Sequence, residues 1–479
     1  MTNSHSPPLL ICNAEIDGLT GMSVGMKAGK IDSIRRDEEF GWRPDTVINA
    51  NGGALLPGLS DHHIHLLGTA ANKASLSLEH VTSMDDLITS IRSAGARLAQ
   101  GQWLRATGLD ASAIGIPDRY ALDKVDSTRP IRAQDRTGAL WVLNSLALEH
   151  VITGNADSLP GGVERDKAGR LTGRIWRETA WLKDRLASSP PDLASLGSEL
   201  SSFGITRVTD ASVSTTQATA SLLGRAHRSG ALPQHLRLMS GGALIPCEEK
   251  SFEIGELKIV LDERSLPEFA DLESRFELAR QWNRGLAVHC VTSVELSYCL
   301  AAFDTFGSLP GDRIEHGGII PQDAFEPLRR HGLTIITQPG FIHSRGERYL
   351  ARVEAYEQED LYRCGSLLRC DIPVGGSSDS PYGPVDPWLA MRTATTRTTR
   401  QGRIVGGGER ISPDAALNLY LGSPACPGRP VRQIRVGDPA DLCLLNLPVA
   451  AALNTLSGDL VSATLIDGRI VFQADCNVL

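Results

Sequence analysis

No stretch of about 18 or more consecutive apolar residues occurs in this 479-residue chain, so no membrane-spanning helix is expected. An excess of basic charge is missing too: 48 Lys and Arg against 56 Asp and Glu leave a formal net charge of −8. That is the opposite of the basic footprint of a nucleic-acid binder. The nine cysteines, scattered from Cys12 to Cys476, are odd in number and show no CxxC pair. This excludes a disulfide framework and a zinc ribbon, and it fits a reducing compartment. The opening Met1-Thr2-Asn3-Ser4-His5-Ser6-Pro7-Pro8 has no basic region leading into an apolar core, so no secretory signal is expected. Short-period repeats and low-complexity tracts are also lacking. With 41% hydrophobic and 22% charged residues, the composition is that of an ordinary globular protein. The expectation is a soluble, cytoplasmic protein, with a homodimer as the default assembly.

What is present suggests three portions. The length exceeds that of one usual compact domain. Residues 8–57 alternate short strand-like runs with turns, and the far end does the same: 440–445, 462–466, an Asp467-Gly468 turn, then 469–472. Such rhythm predicts a small β unit at each end. The expected arrangement joins residues 1–58 and 426–479 into one small β-sandwich. Between them, apolar runs at 103–109, 130–134, 205–210, 257–262, 286–291, 313–316, 333–338 and 372–377 alternate with helical stretches at 84–99, 216–229, 267–283, 293–304, 322–331 and 412–420. Ser83 and Ser412 stand where N-caps belong. Roughly eight βα units of this kind predict an α/β fold, a (β/α)8 TIM-like barrel over residues 59–425.

The chemistry concentrates at predicted strand ends. Leu56-Pro57-Gly58-Leu59 leads into Asp61-His62-His63-Ile64-His65. Alternate residues of a strand share a face, so His63 and His65 can face one centre, and neutral imidazole is a strong ligand for zinc and similar ions. Downstream, 286–288 run into His289, Arg313-Ile314-Glu315 runs into His316, and 372–378 run into Asp379. Lys258 interrupts the otherwise apolar strand 256–261. A barrel gathers strand C-termini at one mouth, so these ligand-type residues can meet there.

With these motifs the chain resembles the amidohydrolase superfamily of metal-dependent hydrolases, in the branch that includes N-substituted formamide deformylases. The resemblance runs through Asn51-Gly52-Gly53-Ala54-Leu55-Leu56-Pro57-Gly58-Leu59-Ser60-Asp61-His62-His63-Ile64-His65, Asp312-Arg313-Ile314-Glu315-His316-Gly317, Gly376-Ser377-Ser378-Asp379-Ser380-Pro381 and Val436-Gly437-Asp438-Pro439-Ala440-Asp441-Leu442. It implies that His63, His65 and Asp379 bind one metal, that His289 and His316 bind a second, and that Lys258 bridges both as a carbamate. Two zinc ions per chain are the expected complement, with manganese, iron or nickel compatible. The chain departs from the branch at Thr137-Gly138-Ala139-Leu140-Trp141, which lacks a Gly-His pair. It also departs at Leu261-Asp262-Glu263-Arg264 after Lys258, and at Cys290-Val291-Thr292-Ser293 after His289.

The function expected from the resemblance is hydrolysis of an amide or cyclic-amide C–N bond by a metal-bridging hydroxide, with Asp379 as proton shuttle. A mononuclear deaminase of an amino-heterocycle is the alternative, using His63, His65, His289 and Asp379 without Lys258. A non-catalytic scaffold relative stands third. The segment Gln338 to Arg345 follows a strand end and is a candidate wall for substrate. In it, His343 or Arg345 is a candidate carboxylate contact, although Arg345 reads equally as a surface residue. Trp141 and Tyr382 are candidate apolar walls, or ordinary core and loop aromatics.

Overall fold

A computed structural model describes residues 7–36, 42–152, 159–186 and 191–474. Residues 1–6 of the segment read for a signal, and residues 475–479 with Cys476, lie outside the described residues. The chain divides into two compact units, one of residues 1–66 with 193–479 and one of residues 67–192.

The first unit is built on eight parallel strands: β1 (Leu59–Ile64), β2 (Ile205–Asp210), β3 (His235–Ser240), β4 (Glu253–Val260), β5 (Leu286–Cys290), β6 (Arg313–His316), β7 (Thr334–Thr337) and β8 (Val374–Gly376). Each pairs in parallel with the next in sequence. The last strand returns to the first. Beyond Gly376 the Asp379 amide donates to the His63 carbonyl at 2.8 Å, and the His65 amide donates to the Ser380 carbonyl at 2.9 Å. The result is an α/β TIM-like barrel. Runs such as Leu286-Ala287-Val288 and Ile335-Ile336 are buried, as strands clad on both faces must be.

The apolar runs at 205–210, 257–262, 286–291, 313–316, 333–338 and 372–377 coincide with β2 and β4 to β8. The runs at 103–109 and 130–134 do not join the barrel. They are strands Leu104–Leu109 and Ile131–Asp135, which pair with each other in a separate six-stranded sheet of the second unit. Their places in the barrel are taken by β1 and β3, whose polar residues break the apolar run that marks the other strands. These polar groups are tolerated because they are partnered: Asp61 by Ser378, His63 by Glu315, Arg237 by Glu256. The sheet of the second unit packs its own apolar cores, one around Leu87, Ile91 and Ala106 and one around Trp141, Leu148 and Ile175.

The two chain ends meet. Strands Leu9–Ile16, Leu19–Lys27, Lys30–Arg35 and Thr46–Asn49 form one four-stranded sheet. Leu55–Pro57 crosses to the C-terminal strands, pairing antiparallel with Leu442–Leu445. Leu9, Ile11, Val24 and Met26 share a single apolar core with Leu442, Leu444, Ala463 and Leu465. Helices Met84–Gly95, Gln217–Arg228, Phe269–Gln281, Ser293–Phe306 and Pro413–Asn418 lie within or close to the expected stretches. Ser83 and Ser412 accept the capping hydrogen bonds as expected. No described helix is long and apolar enough to cross a membrane, and Cys247, Cys290, Cys299, Cys364, Cys370, Cys426 and Cys443 are free thiols.

Candidate metal centre

The site starts from β1. Strand alternation turns Asp61, His63 and His65 to one side and His62 to the other. Asp61 accepts from the Ser378 hydroxyl at 2.6 Å and the Ser378 amide at 3.1 Å, which ties β1 to the loop after β8. Burial pushes the Asp61 carboxyl up to about 6. That loop delivers Asp379, whose Oδ1 stands 3.2 Å from His65 Nε2 and 3.4 Å from His63 Nε2. These three residues offer ligand atoms close enough to share one cation. Their other ring nitrogens are spoken for: His63 Nδ1 donates to Glu315, and His65 Nδ1 shares a hydrogen bond with Ser212 Oγ at 2.9 Å. Such partners fix the tautomer and turn each Nε2 toward Asp379.

His316 and His289 complete the ring cluster. The His289 and His316 ring centroids are 4.4 Å apart, and His316 lies 4.8 Å from His63. Alternation would send adjacent Glu315 and His316 to opposite faces, yet both reach His63. The left-handed backbone of His316, φ 73°, breaks the alternation, and Asp379 is likewise left-handed at φ 49°. Non-glycine residues rarely adopt this conformation, and it collects at functional sites. Gly317, φ 53°, continues the sharp turn out of β6. A Cβ on Gly318 would stand 2.5 Å from the Val291 carbonyl oxygen, so that close approach needs a glycine.

Beneath the histidines, charged side chains fill the barrel interior. Glu256 and Lys258 are alternate residues of β4; Arg313 and Glu315 are alternate residues of β6. Arg237 bonds Glu256 at 3.1 Å, Arg313 stands 3.9 Å from Glu256, and Arg313 Nε donates to Glu315 at 2.6 Å. Lys258 Nζ lies 3.8 Å from Glu315 but makes no hydrogen bond among the described residues. Burial lowers the Lys258 amine from its ordinary range, an effect that Glu315 partly opposes.

The electrostatics suit a cation. Burial pushes His63 down to about 4 and His316 down to about 3, and takes His289 well below its ordinary value. All three are therefore neutral at pH 7, the form in which imidazole binds a cation. Burial works to raise the Asp379 and Glu315 carboxyls, but local partners prevail: the close approach of His65 and the neighbouring histidines for Asp379, the charges of Arg313 and Lys258 and the His63 contact for Glu315. Both carboxyls are held well below their usual range. Asp379 Oδ1 is buried and accepts no hydrogen bond among the described residues. An ionised, unsatisfied oxygen facing two imidazole nitrogens is a fit for a divalent ion.

The structure thus brings His63, His65, His289, His316, Asp379 and Lys258 into one cluster. Gln338 is also there, but both ends of its amide are engaged. Its oxygen accepts from His316 Nδ1 at 3.0 Å, and its nitrogen donates to Ser377 Oγ at 3.0 Å. Tyr382 stacks edge-on to His65 at 5.7 Å. Arg345 lies over the Phe341 ring and donates to the Tyr382 carbonyl. His343, on the same helix Gly340–Arg352, is half-buried, with its backbone carbonyl accepting from the Arg400 amide. Trp141 is buried in the core of the second unit. Sequence reasoning missed Glu315, Arg313 and Asp61 as parts of the site. A signal existed, since Arg313 and Glu315 are alternate charges in a four-residue strand and Asp61 alternates with His63.

A family model described as "Amidohydrolase family" matches residues 46–472. The chain is 26% identical to the N-substituted formamide deformylase of Arthrobacter pascens over 97% of this chain and 98% of that protein. Among solved structures, it is similar to an uncharacterized metal-dependent hydrolase from Pyrococcus horikoshii OT3. The TM-score is 0.73 at 19% identity, covering 94% of this chain and 99% of that one. A second such hydrolase, from Pyrococcus furiosus, gives 0.67 at 19% identity, covering 92% and 99%.

Proposed function

This chain belongs to the amidohydrolase family and is a hydrolase acting on carbon–nitrogen bonds, and from that premise we propose that it cleaves an amide or cyclic-amide bond of a small molecule. His63, His65 and Asp379 would hold one divalent cation and His289 and His316 a second, with Lys258 as the residue that would supply a carbamate ligand. Zinc suits the donors best, with manganese, iron or nickel compatible. The two chain-end sheets are read as one β-sandwich of residues 1–58 and 426–479 beside a catalytic portion at 59–425.

The observation that carries this reading is Asp379 Oδ1, buried without a hydrogen-bond donor and 3.2 and 3.4 Å from two histidine nitrogens. When bound, such cations polarise an acyl carbon–oxygen bond and lower the pKa of water to about 7. Asp379, ionised in its setting, takes a proton from the attacking water and returns it to the leaving nitrogen. Glu315 and Ser212 keep the His63 and His65 rings turned toward the centre, and Gln338 does the same for His316. The lowered amine of Lys258 favours the neutral form that adds to CO2, losing a proton to give an anionic group with two oxygens.

One observation favours the mononuclear deaminase: an ammonium on Lys258 would pair with Glu315, 3.8 Å away, and leave nothing to bridge. Metal analysis of zinc- or manganese-supplied protein, with a screen of amides, cyclic imides, lactams and amino-heterocycles, separates the two. Two ions per chain with amide or imide turnover supports the first reading. One ion with ammonia released from amino-heterocycles supports the second, and protein without ion or turnover sinks both.

A further inference from the structure

The helix Gly340–Arg352, which follows β7, places Phe341, Arg345 and Tyr349 four residues apart along one face. Arg345 stacks its guanidinium 3.9 Å above the Phe341 ring, and Phe341 packs edge-on against Tyr362 at 5.4 Å. The Tyr349 hydroxyl donates to the Tyr362 hydroxyl at 3.2 Å. Burial raises both phenols above their ordinary range, so both stay protonated, while the Arg345 charge reaches both and the Asp379 charge reaches Tyr362. Arg345 donates to the carbonyl of Tyr382, the residue whose ring faces His65. A single residue therefore separates this arginine from the metal-binding histidines.

Nearby, Arg363 and Arg403 each pair with an Asp or Glu, and the Arg397 guanidinium is filled by the Val405, Tyr362 and Leu361 carbonyls. Arg345 has neither arrangement: among the described residues it makes no ion pair, and the one carbonyl it bonds is that of Tyr382. The single acid of its helix, Glu347, is taken by Arg403 and Thr399, so the helix adds Arg345, Arg348 and Arg352 against one committed charge. A planar guanidinium laid on an aromatic floor beside two hydroxyls matches the planar, two-oxygen acceptor of a carboxylate.

We propose that Arg345, with Tyr349 and Tyr362, forms a subsite for a substrate carboxylate, and that the preferred substrates are amides bearing a carboxylate near the scissile bond, such as N-acylated amino acids. This rests on the hydrolase reading above.

The test uses pairs that differ by the carboxylate alone: N-formylphenylalanine with N-(2-phenylethyl)formamide, and the N-acetyl counterparts. Turnover is measured on metal-loaded enzyme, and binding by calorimetry, so the subsite is read even where no member is hydrolysed. The wild type is expected to favour the carboxylate member about 10- to 100-fold in kcat/KM or in Kd, the scale of a hydrogen bond to a charged group. Arg345→Gln, which can still donate to the Tyr382 carbonyl, should bring the preference to within about 2-fold, with metal content and Tm unchanged. Arg345→Lys should restore part of it. Should the Gln variant fold poorly, Tyr349→Phe must lower the preference in the same direction. A wild type indifferent to the carboxylate in both readouts overturns the subsite, as does a Gln variant that weakens both members of a pair equally. Carboxylate-selective binding with no turnover of any pair would leave the subsite standing and count against the hydrolysis of acyclic amides.

Discussion

Lys258 Nζ stands 3.8 Å from the Glu315 carboxylate inside the barrel and donates no hydrogen bond among the described residues. A buried lysine so placed is either a charge held by one neighbour or an amine available for modification. Replacing it by Met keeps most of the volume and removes the nitrogen. On the carbamate reading, Lys258→Met lowers the metal content from two ions per chain to one and cuts kcat about 100-fold or more, the scale of losing one cation's charge stabilisation. Metal analysis beside steady-state kinetics decides it. Unchanged ion content would return Lys258 to the role of counter-charge.

Glu315 has two duties that different substitutions separate. It orients His63 and it neutralises Arg313. Glu315→Gln should retain the fold and weaken metal affinity about 10- to 100-fold, the usual cost of losing a carboxylate behind a metal-binding histidine. Glu315→Ala should also destabilise the protein by about 3–5 kcal/mol, since it strands a buried guanidinium. Chelator competition reads the first effect and denaturant unfolding the second.

The parts of this centre legible in sequence were those that strand alternation and strand ends mark: His63 and His65, His289, His316, Asp379. Six of the eight barrel strands were legible as apolar runs. β1 showed only through the alternation of His63 and His65 and β3 not at all, because polar residues such as Asp61 and Arg237 break the apolar run and find their partners elsewhere in the fold. The runs at 103–109 and 130–134 misled for the converse reason, since a buried strand in an added sheet has the same local pattern as one in a barrel. Glu315 depends on a partner 252 positions away, which no local pattern records, and Arg345, named from its place after a strand end, gave no sign of its contacts with Tyr362 and Tyr382.

His235, at the start of β3, pairs with Asp441 of the C-terminal sheet at 3.1 Å, and Asp441 also holds Arg207. Burial disfavours the charged imidazole, but the Asp441 hydrogen bond and charge outweigh it and raise His235 above 6.5. A folded-state value above the unfolded one gives stability that is complete below about pH 6.5 and fades as pH rises through the raised value. Burial likewise works to raise Asp441, but its partners hold it below 3.8, so its share is lost only in acid. Wild-type stability should therefore fall between pH 6 and 8.5 by more than that of Asp441→Asn, and the variant should be less stable by about 3 kcal/mol at pH 6. Guanidinium unfolding at both pH values measures this; equal pH slopes would remove the pair from the account.

The turn after His316 gives a test of geometry that leaves the ligands unaltered. In Gly318→Ala the added methyl would lie 2.5 Å from the Val291 carbonyl oxygen. Both are backbone-fixed, so one of the two loops must move. Val291 follows β5, which carries His289, and Gly318 follows the left-handed His316, so either movement disturbs the ring pair held 4.4 Å apart. Such overpacking costs about 1–3 kcal/mol, and on the two-cation reading an ion at His289 and His316 should bind more weakly while one at His63, His65 and Asp379 is less affected. Gly408→Ala is the control: its methyl meets nothing within 4 Å, and the substitution should change stability by about 0.5 kcal/mol or less. Thermal unfolding with stepwise metal removal reads both variants. If Gly318→Ala matched the control, the close approach of these two loops would not be what holds His316 in place.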